Sequence, residues 1–291
     1  MPDESIPQGA LRVGGVRLDQ PATARLWNLA GGGKGHYGGD RGLYDEITKV
    51  TAVFPHLVAS SRRFVVGAAE HLVAKLGITQ YIDLGVGLPL DASSFYSSPG
   101  NLHKIVQSLT PSAKVVYVDQ DPIVLANARG LLAENDRVLV ADGDIFEPAE
   151  LLPQLKQTAF LDWDKPIALF CTAVLHYHPG TAADVTATMQ TYLDALPARS
   201  CTVITHFLDQ EDPQYDAAVR QVEKVLTSSA IGAGWFRTKT DLEAMFPDQE
   251  LVGAGVQPCH EWWPELKPAV TDSWIQDYIG GGIGRKRSGR R

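Results

Sequence analysis

The chain is poor in cysteine. Cys171, Cys201 and Cys259 are its three, an odd number without metal-ligand spacing. That scarcity excludes a disulfide-stapled scaffold and points to a reducing, cytoplasmic setting. Two of the three fall inside apolar runs that read as buried strands, where cysteine behaves as a small hydrophobe. No apolar run approaches the ~20 residues that span a bilayer. The opening MPDESIPQGA has no basic n-region and no apolar h-region, so it does not read as a secretory signal. Positive charge is also short: 26 Lys and Arg face 34 Asp and Glu, a net charge of −8. Such a surface repels nucleic acid and anionic membranes, and neither is an expected partner. The one basic run, Arg285, Lys286, Arg287, Arg290 and Arg291, reads as a solvated tail. Neither an internal repeat nor a G-x-S-x-G elbow is present.

Apolar residues make up 44% of the chain, enough to build a sizeable core. From about Thr79 short β-rich runs alternate with helical stretches. The runs are Gln80–Gly85, Lys114–Asp119, Arg137–Asp142, Pro166–Leu175 and Cys201–Leu208. Near-continuous Val, Ile and Leu mark strands buried on both faces, as parallel strands under helices are. Helical stretches fall at Pro122–Glu134, Pro148–Gln157, Ala182–Ala195 and Pro213–Ser228, the first with Asp121 as N-cap and Pro122 at its first position. The alternation predicts an α/β fold with a doubly wound, mostly parallel sheet and right-handed crossovers. Pro21–Gly77 reads mostly helical, with Gly77 as C-cap, so residues 1–77 are expected to form a helical lid on a catalytic domain of residues 78–291. Later come a helix in TKTDLEAMF opened by Thr240, and strand candidates ELVGAGV and WIQDYIGGGI. Leu88–Asn101 reads as a turn-rich insertion.

In such a sheet, ligands bind beyond the carboxyl ends of the strands. The first strand ends in DLGVGLP, with Asp83 and the turn-forming Gly85 and Gly87. The second ends in Asp119, followed by Gln120 and Asp121; the third ends in Asp142, with Asp144 close behind. A carboxylate at the second position can accept both hydroxyls of a ribose, and one at the third can meet an adenine amino group. The set describes a site for an adenosine-containing cofactor. A nicotinamide enzyme needs a small residue two places after Leu88, but Leu90 stands there after Pro89, and no helix follows to receive a pyrophosphate. S-adenosylmethionine carries no pyrophosphate and tolerates that departure.

These residues carry a resemblance. DLGVGLP, NLH at Asn101–His103, VVYVDQDPIVLANARGLL, AVLHY and ITHF together resemble a group of actinobacterial S-adenosylmethionine-dependent methyltransferases long of unknown function. GGKGHYGGDR is similar to that family's glycine-rich signature, Arg62 and Phe64 to its R-x-F motif, and GGGIGRK to its last strand. The Asp91–Pro99 insertion and Gly67, where a second basic residue is expected, are departures. Some members are similar to natural-product enzymes, including ones that methylate C3 of an indole. The resemblance implies a Rossmann-like class I methyltransferase with a seven-stranded sheet, using S-adenosylmethionine and releasing S-adenosylhomocysteine. It implies that Asp83, Gly85 and Gly87 face the amino-acid end of the cofactor and that Arg62 pairs with its carboxylate. Asp119 then holds the ribose, Gln120 and Asp142 the adenine, and Thr172 and Ala173 flank the methyl group.

His176, in the run His176-Tyr177-His178 after the fourth strand, and His206, at the end of the fifth, are candidate general bases. The H-x-H pair lacks a third ligand, so no metal is expected. Trp27, Tyr37, Phe95, Tyr96, Trp235, Trp262 and Trp263 serve either as packing or as a pocket for a planar acceptor. The run AGGGKGHYGGDR fails as a phosphate loop, since Gly35 follows Lys34 and no strand feeds it. It is expected to fold over the cofactor as a lid, with Tyr37 covering the reacting end. The function expected is methylation of a small aromatic metabolite, indole-containing ones among them, with room for a homodimer. A catalytically silent cofactor-binding regulator and an NAD-dependent oxidoreductase stand as alternatives.

Overall fold

The computed structural model describes residues 12–13, 16–89, 101–263 and 273–287. The expected insertion at Asp91–Pro99, with Leu90, Phe95 and Tyr96, lies outside them, as do Arg290 and Arg291. A short antiparallel pair, β1 (Arg12–Val13) and β2 (Val16–Arg17), precedes three helices, α1 (Thr23–Ala30), α2 (Gly38–Val50) and α3 (Phe54–Leu76). The alternating part follows: β3 (Gln80–Leu84), α4 (Leu102–Leu109), β4 (Lys114–Asp119), α5 (Pro122–Leu132), β5 (Val138–Asp142), α6 (Pro148–Gln157), β6 (Ala168–Thr172), α7 (Ala182–Ala195) and β7 (Cys201–Asp209). The last part holds α8 (Asp216–Thr227), β8 (Arg237–Thr238), α9 (Lys239–Ala244), β9 (Gln249–Leu251), β10 (Gln257–Pro258) and β11 (Ile279–Lys286).

The main sheet runs β10-β11-β7-β6-β3-β4-β5, with β8 added beside β7 and β9 beside β11. Pairs among β3 to β7 are parallel, and β11 runs antiparallel to β7, β9 and β10. This is the expected doubly wound, Rossmann-like arrangement with a seven-strand path. The order reverses between β3 and β6, so the crevice for a ligand opens beyond their carboxyl ends. Alternate side chains face opposite layers, because strand side chains repeat every two residues. Tyr81, Val115, Phe170 and Val203 join one apolar cluster, with α3 and α8, while Ile82, Val116, Leu169 and Ile204 join another, with α6 and α7. Leu26, Phe54 and Phe64 from the N-terminal helices lie in the first cluster, so that core continues across Gly77.

Several boundaries differ from the sequence reading. The helix placed after Thr240 starts at Lys239, and Thr238 caps it, accepting from the Asp241 N–H at 3.2 Å. The capping-box pairing of Thr238 with Asp241 competed with the Thr240 assignment and won. Trp274–Tyr278 is a 3-10 turn leading into β11, and ELVGAGV keeps only its first residues in β9. Gly67, a departure from the family pattern, leaves the space that the Trp263 ring fills: a Cβ there would collide with the indole, whose Nε1 donates to the Phe64 carbonyl at 3.3 Å.

The N-terminal helices are tied to the sheet by charge. Arg25 and Asp40 are 2% and 0% exposed and pair at 2.8 Å. Asp40 also accepts the N–H groups of Ala22 (3.0 Å) and Tyr37 (2.8 Å), while Arg25 donates to the Gln20 carbonyl and lies 3.7 Å from Asp121 beyond β4. Removing one member of a buried pair leaves a stranded charge and costs about 3–5 kcal/mol. Asp40→Ala is therefore expected to lower unfolding free energy by that amount in urea titrations, whereas exposed Asp45→Ala changes it by less than about 0.5 kcal/mol. Equal losses in the two variants would contradict this account.

Candidate active site

A cavity of about 440 Å³ opens at the carboxyl ends of β3, β4 and β6, where the strand order reverses. Gly85, in the turn after β3, has φ +70°, a left-handed conformation that favours glycine, and a Cβ there would strike Val174. Its N–H donates to the Val118 carbonyl at 2.8 Å, which fixes the turn to the neighbouring strand. Asp119, at the end of β4, accepts the N–H groups of Gly87 at 3.0 Å and Asp121 at 2.9 Å. The carboxylate is thereby aimed across the turn. Ala173 follows β6 at φ +58°, a strained position for a residue with a Cβ, and donates to the Thr205 carbonyl at 3.0 Å.

The structure brings together most of the sequence-selected residues. Arg62, Asp83, Gly85, Gly87, Asp119, Gln120, Thr172 and Ala173 all lie on the cavity wall. Four do not. Asp142 is exposed at the end of β5, and the wall is met by the next residue, Gly143. Tyr37 is 36% exposed, with its ring near the Arg25 guanidinium (5.7 Å) and off the wall. His176 and His206 are fully buried behind it: His176 stacks on Phe207 with ring centres 3.7 Å apart, and His206 lies edge-on to it at 5.4 Å.

Burial shapes the charges of the wall. It pushes the Asp83 carboxyl up to about 7, against the pull of Arg62 and with the help of Asp119. The Asp119 carboxyl is raised by burial too, with its backbone N–H donors opposing. Desolvation lowers the Arg62 guanidinium from its usual range, and among the described residues no hydrogen bond or ion pair engages it. The cavity thus presents an unsatisfied cation and a carboxylate poised near neutrality, an arrangement that fits a zwitterionic ligand end. His206 is pulled down to about 3 and His176 well below its usual value, both by desolvation first.

Three wall residues, Tyr117, Tyr177 and Asn28, escaped the sequence reading as site candidates. Tyr117 stands on β4, two residues before Asp119 and on the same face; its hydroxyl accepts the His103 backbone N–H at 2.9 Å and meets His103 Nδ1 at 2.9 Å. The period-2 rule could have paired it with Asp119. Tyr177 and Trp27 meet across 150 residues, the indole Nε1 donating to the Tyr177 hydroxyl at 2.7 Å. No local signal announces that contact. Asn28, beside Trp27, accepts the Gly35 N–H at 2.8 Å and donates to the Pro89 carbonyl at 3.1 Å. It stitches the glycine-rich loop to the turn after β3. Among the described residues no three His, Cys, Asp or Glu side chains are placed to hold a metal, and no helix is long and apolar enough to cross a membrane.

A reversed, mostly parallel sheet with acid-tipped strands around a cavity defines the class I methyltransferases, Rossmann-like enzymes that use S-adenosylmethionine. The chain belongs to the S-adenosyl methyltransferase family, whose model matches residues 14–287. It is similar to a methyltransferase candidate from Thermobifida fusca, at 31% identity over 93% of this chain and 96% of that one, with a TM-score of 0.82. It is also similar to a DUF574 family protein from Streptomyces avermitilis, at 29% identity over 93% of this chain and 100% of that one, again with a TM-score of 0.82. Comparison with the curated proteins gives no match. The protein is thus an S-adenosylmethionine-dependent methyltransferase.

Because both histidines are held neutral by burial, their imidazole NMR shifts are expected to stay constant between pH 5 and 9. An inflection near pH 6.5 in either would show that it is open to solvent.

Proposed function

We propose that the enzyme methylates a small, planar aromatic metabolite, with indoles among the acceptors to be tested first. The observation that carries this reading is the aromatic and apolar part of the cavity wall. There Trp27 and Tyr177 meet in a hydrogen bond, and Val65, Val66 and Ile231 add apolar surface. Aromatic side chains and a few polar groups suit a flat ring with one hydrogen-bonding edge.

Asp119 would hold the ribose hydroxyls and Gln120 would lie along the adenine. Asp142 is exposed and off the wall, so in this reading the adenine edge is met at Gly143 instead. Arg62 would pair with the cofactor carboxylate and Asp83 with its ammonium group, while Gly85 and Gly87 let the backbone approach closely. Thr172 and Ala173 would flank the reacting end. When bound, S-adenosylmethionine supplies an electrophilic methyl group on a sulfonium sulfur. The protein's task is then alignment more than proton transfer. The hydroxyl of Tyr177 already accepts from Trp27, and indole nitrogen is a donor only, so the Tyr177 proton remains free to donate to an acceptor atom. His176 and His206 would act as packing and positioning groups behind Tyr177. Residues 1–77 would serve as the cap, with the glycine-rich loop pinned over the cavity edge by Asn28 and Tyr37 at the outer rim.

Calorimetry with S-adenosylmethionine tests the cofactor half. If Asp83 binds the ammonium group, binding favours its ionised form. Affinity is then expected to rise about tenfold per pH unit below 7 and to level off above it. Asp83→Asn should flatten that profile, and Asp119→Ala should weaken binding about 10- to 100-fold, the worth of hydrogen bonds to a charged group. A pH-independent wild-type affinity would remove Asp83 from this role. A labelled-methyl screen over indoles, phenols and aliphatic amines tests the acceptor half; transfer to the amines alone would overturn the aromatic reading.

A further inference from the structure

Tyr278, the last residue before β11, is 2% exposed, yet among the described residues its hydroxyl has no hydrogen-bond partner. It is no part of the cofactor cavity. Its ring lines a second cleft of about 430 Å³, at the carboxyl end of β7. Gln210, Asp212, Tyr215, Pro258, Glu261 and Asp277 complete its lining. Gln210 donates to the Asp277 carbonyl at 2.7 Å, which ties the segment after β7 to the turn before β11. The hydroxyl sits among the acids: burial first, then Asp212, Asp209 and Asp277, push the Tyr278 phenol up to about 12.

An unanswered hydroxyl and an excess of carboxylates imply a missing counterpart. Arg220, a cation paired with Asp209, is already taken up by that residue together with Asp216 and Glu223. His260 lies 3.6 Å from Asp277, and among the described residues Asp212 and Glu261 have no ion-pair partner. The carboxylates do not converge as metal ligands. They stand around aromatic rings instead: Tyr215 lies edge-on to Tyr278 and is stacked on Trp274 at 4.4 Å, nearly parallel, which holds its ring rigid. Dispersed carboxylates, aromatic faces and one free phenol oxygen suit a cation larger than a metal ion, with several N–H donors and an alkyl body.

We propose that this cleft binds the ammonium head of a small organic cation, separately from the cofactor cavity. The N–H groups donate to Asp277, Asp212 or Glu261 and to the Tyr278 oxygen, and the methylenes lie against Tyr215. The inference does not depend on the acceptor proposed for methyl transfer.

The probe is putrescine, titrated calorimetrically into the full chain, with 1,4-butanediol as the uncharged control of equal length. Saturable binding of putrescine and none of the diol is expected. Tyr278→Phe and Asp277→Asn should each weaken it about tenfold. Because Tyr278→Phe deletes a buried hydroxyl that has no partner, its melting temperature should be equal or higher, which separates lost binding from lost folding. Asp83→Asn should leave putrescine binding unchanged. No saturable binding, equal binding by the diol, or unchanged affinity in both cleft variants overturns the proposal. So does loss of binding in Asp83→Asn, which would place the cation in the cofactor cavity.

Discussion

The buried Arg25–Asp40 pair is the contact on which the shape of the active site depends. Its two members come from different helices, and both are removed from water. Two charges in such a place survive only when their remaining donors and acceptors are answered, which here means the backbone of residues 20, 22 and 37. The pair therefore fixes three things together: the start of α1, the start of α2, and the end of the glycine-rich loop. Through Asp121 it also reaches the turn after β4, beside the acids that line the cavity. One wall of the cavity is sheet and the other is α1 with α3. Without this junction the sheet would keep its acids but lose the surface facing them.

Within the cavity, burial sets the electrostatics. Asp83, Asp119 and Arg62 share a space partly screened from water, where among the described residues none is neutralised by a short, direct ion pair. Such a site is costly for the empty protein. Asp83 with a raised folded pKa binds its proton more tightly when folded than unfolded, so this group's contribution to stability declines as pH rises from about 4 to 7. A ligand bearing one carboxylate and one ammonium group relieves both ends of that imbalance. The same physics recurs at the second cleft, where Tyr278 is surrounded by acids with too few cations.

Much of this was legible from residue order. Continuous apolar runs announced β3, β4, β5, β6 and β7, and the acids at their ends, Asp83 and Asp119, marked the cavity because parallel strands all deliver their last residues to one edge. Asp142 obeyed the same logic but missed the wall, since β5 is the edge strand and its end faces solvent. The histidines were read as reachable because they follow strand ends; the stacking of His176 on Phe207 shows that a turn can fold a polar ring inward. The Trp27–Tyr177 contact had no signature, because it joins α1 to the turn after β6 across 150 residues and depends on how α1 is seated. The short β8 and β10 were likewise invisible, being two residues long and defined by their partners, and β9 was read only as part of the longer run ELVGAGV.

That seating bears on how methyl transfer can proceed here. With both imidazoles buried and neutral, the ionisable group hydrogen-bonded to Trp27 on the cavity wall is Tyr177, whose own pKa burial pushes upward. A phenol in that state donates a hydrogen bond and takes no proton at neutral pH. The chain from Trp27 Nε1 through the Tyr177 oxygen polarises that donor further, as linked hydrogen bonds do. An acceptor seated against it must therefore bring its own nucleophilicity, either as an electron-rich ring carbon or as an atom that sheds its proton to solvent. The first route suits the electron-rich ring proposed above, whereas a simple alcohol does not ionise in water near neutral pH and is a poor acceptor without a protein base.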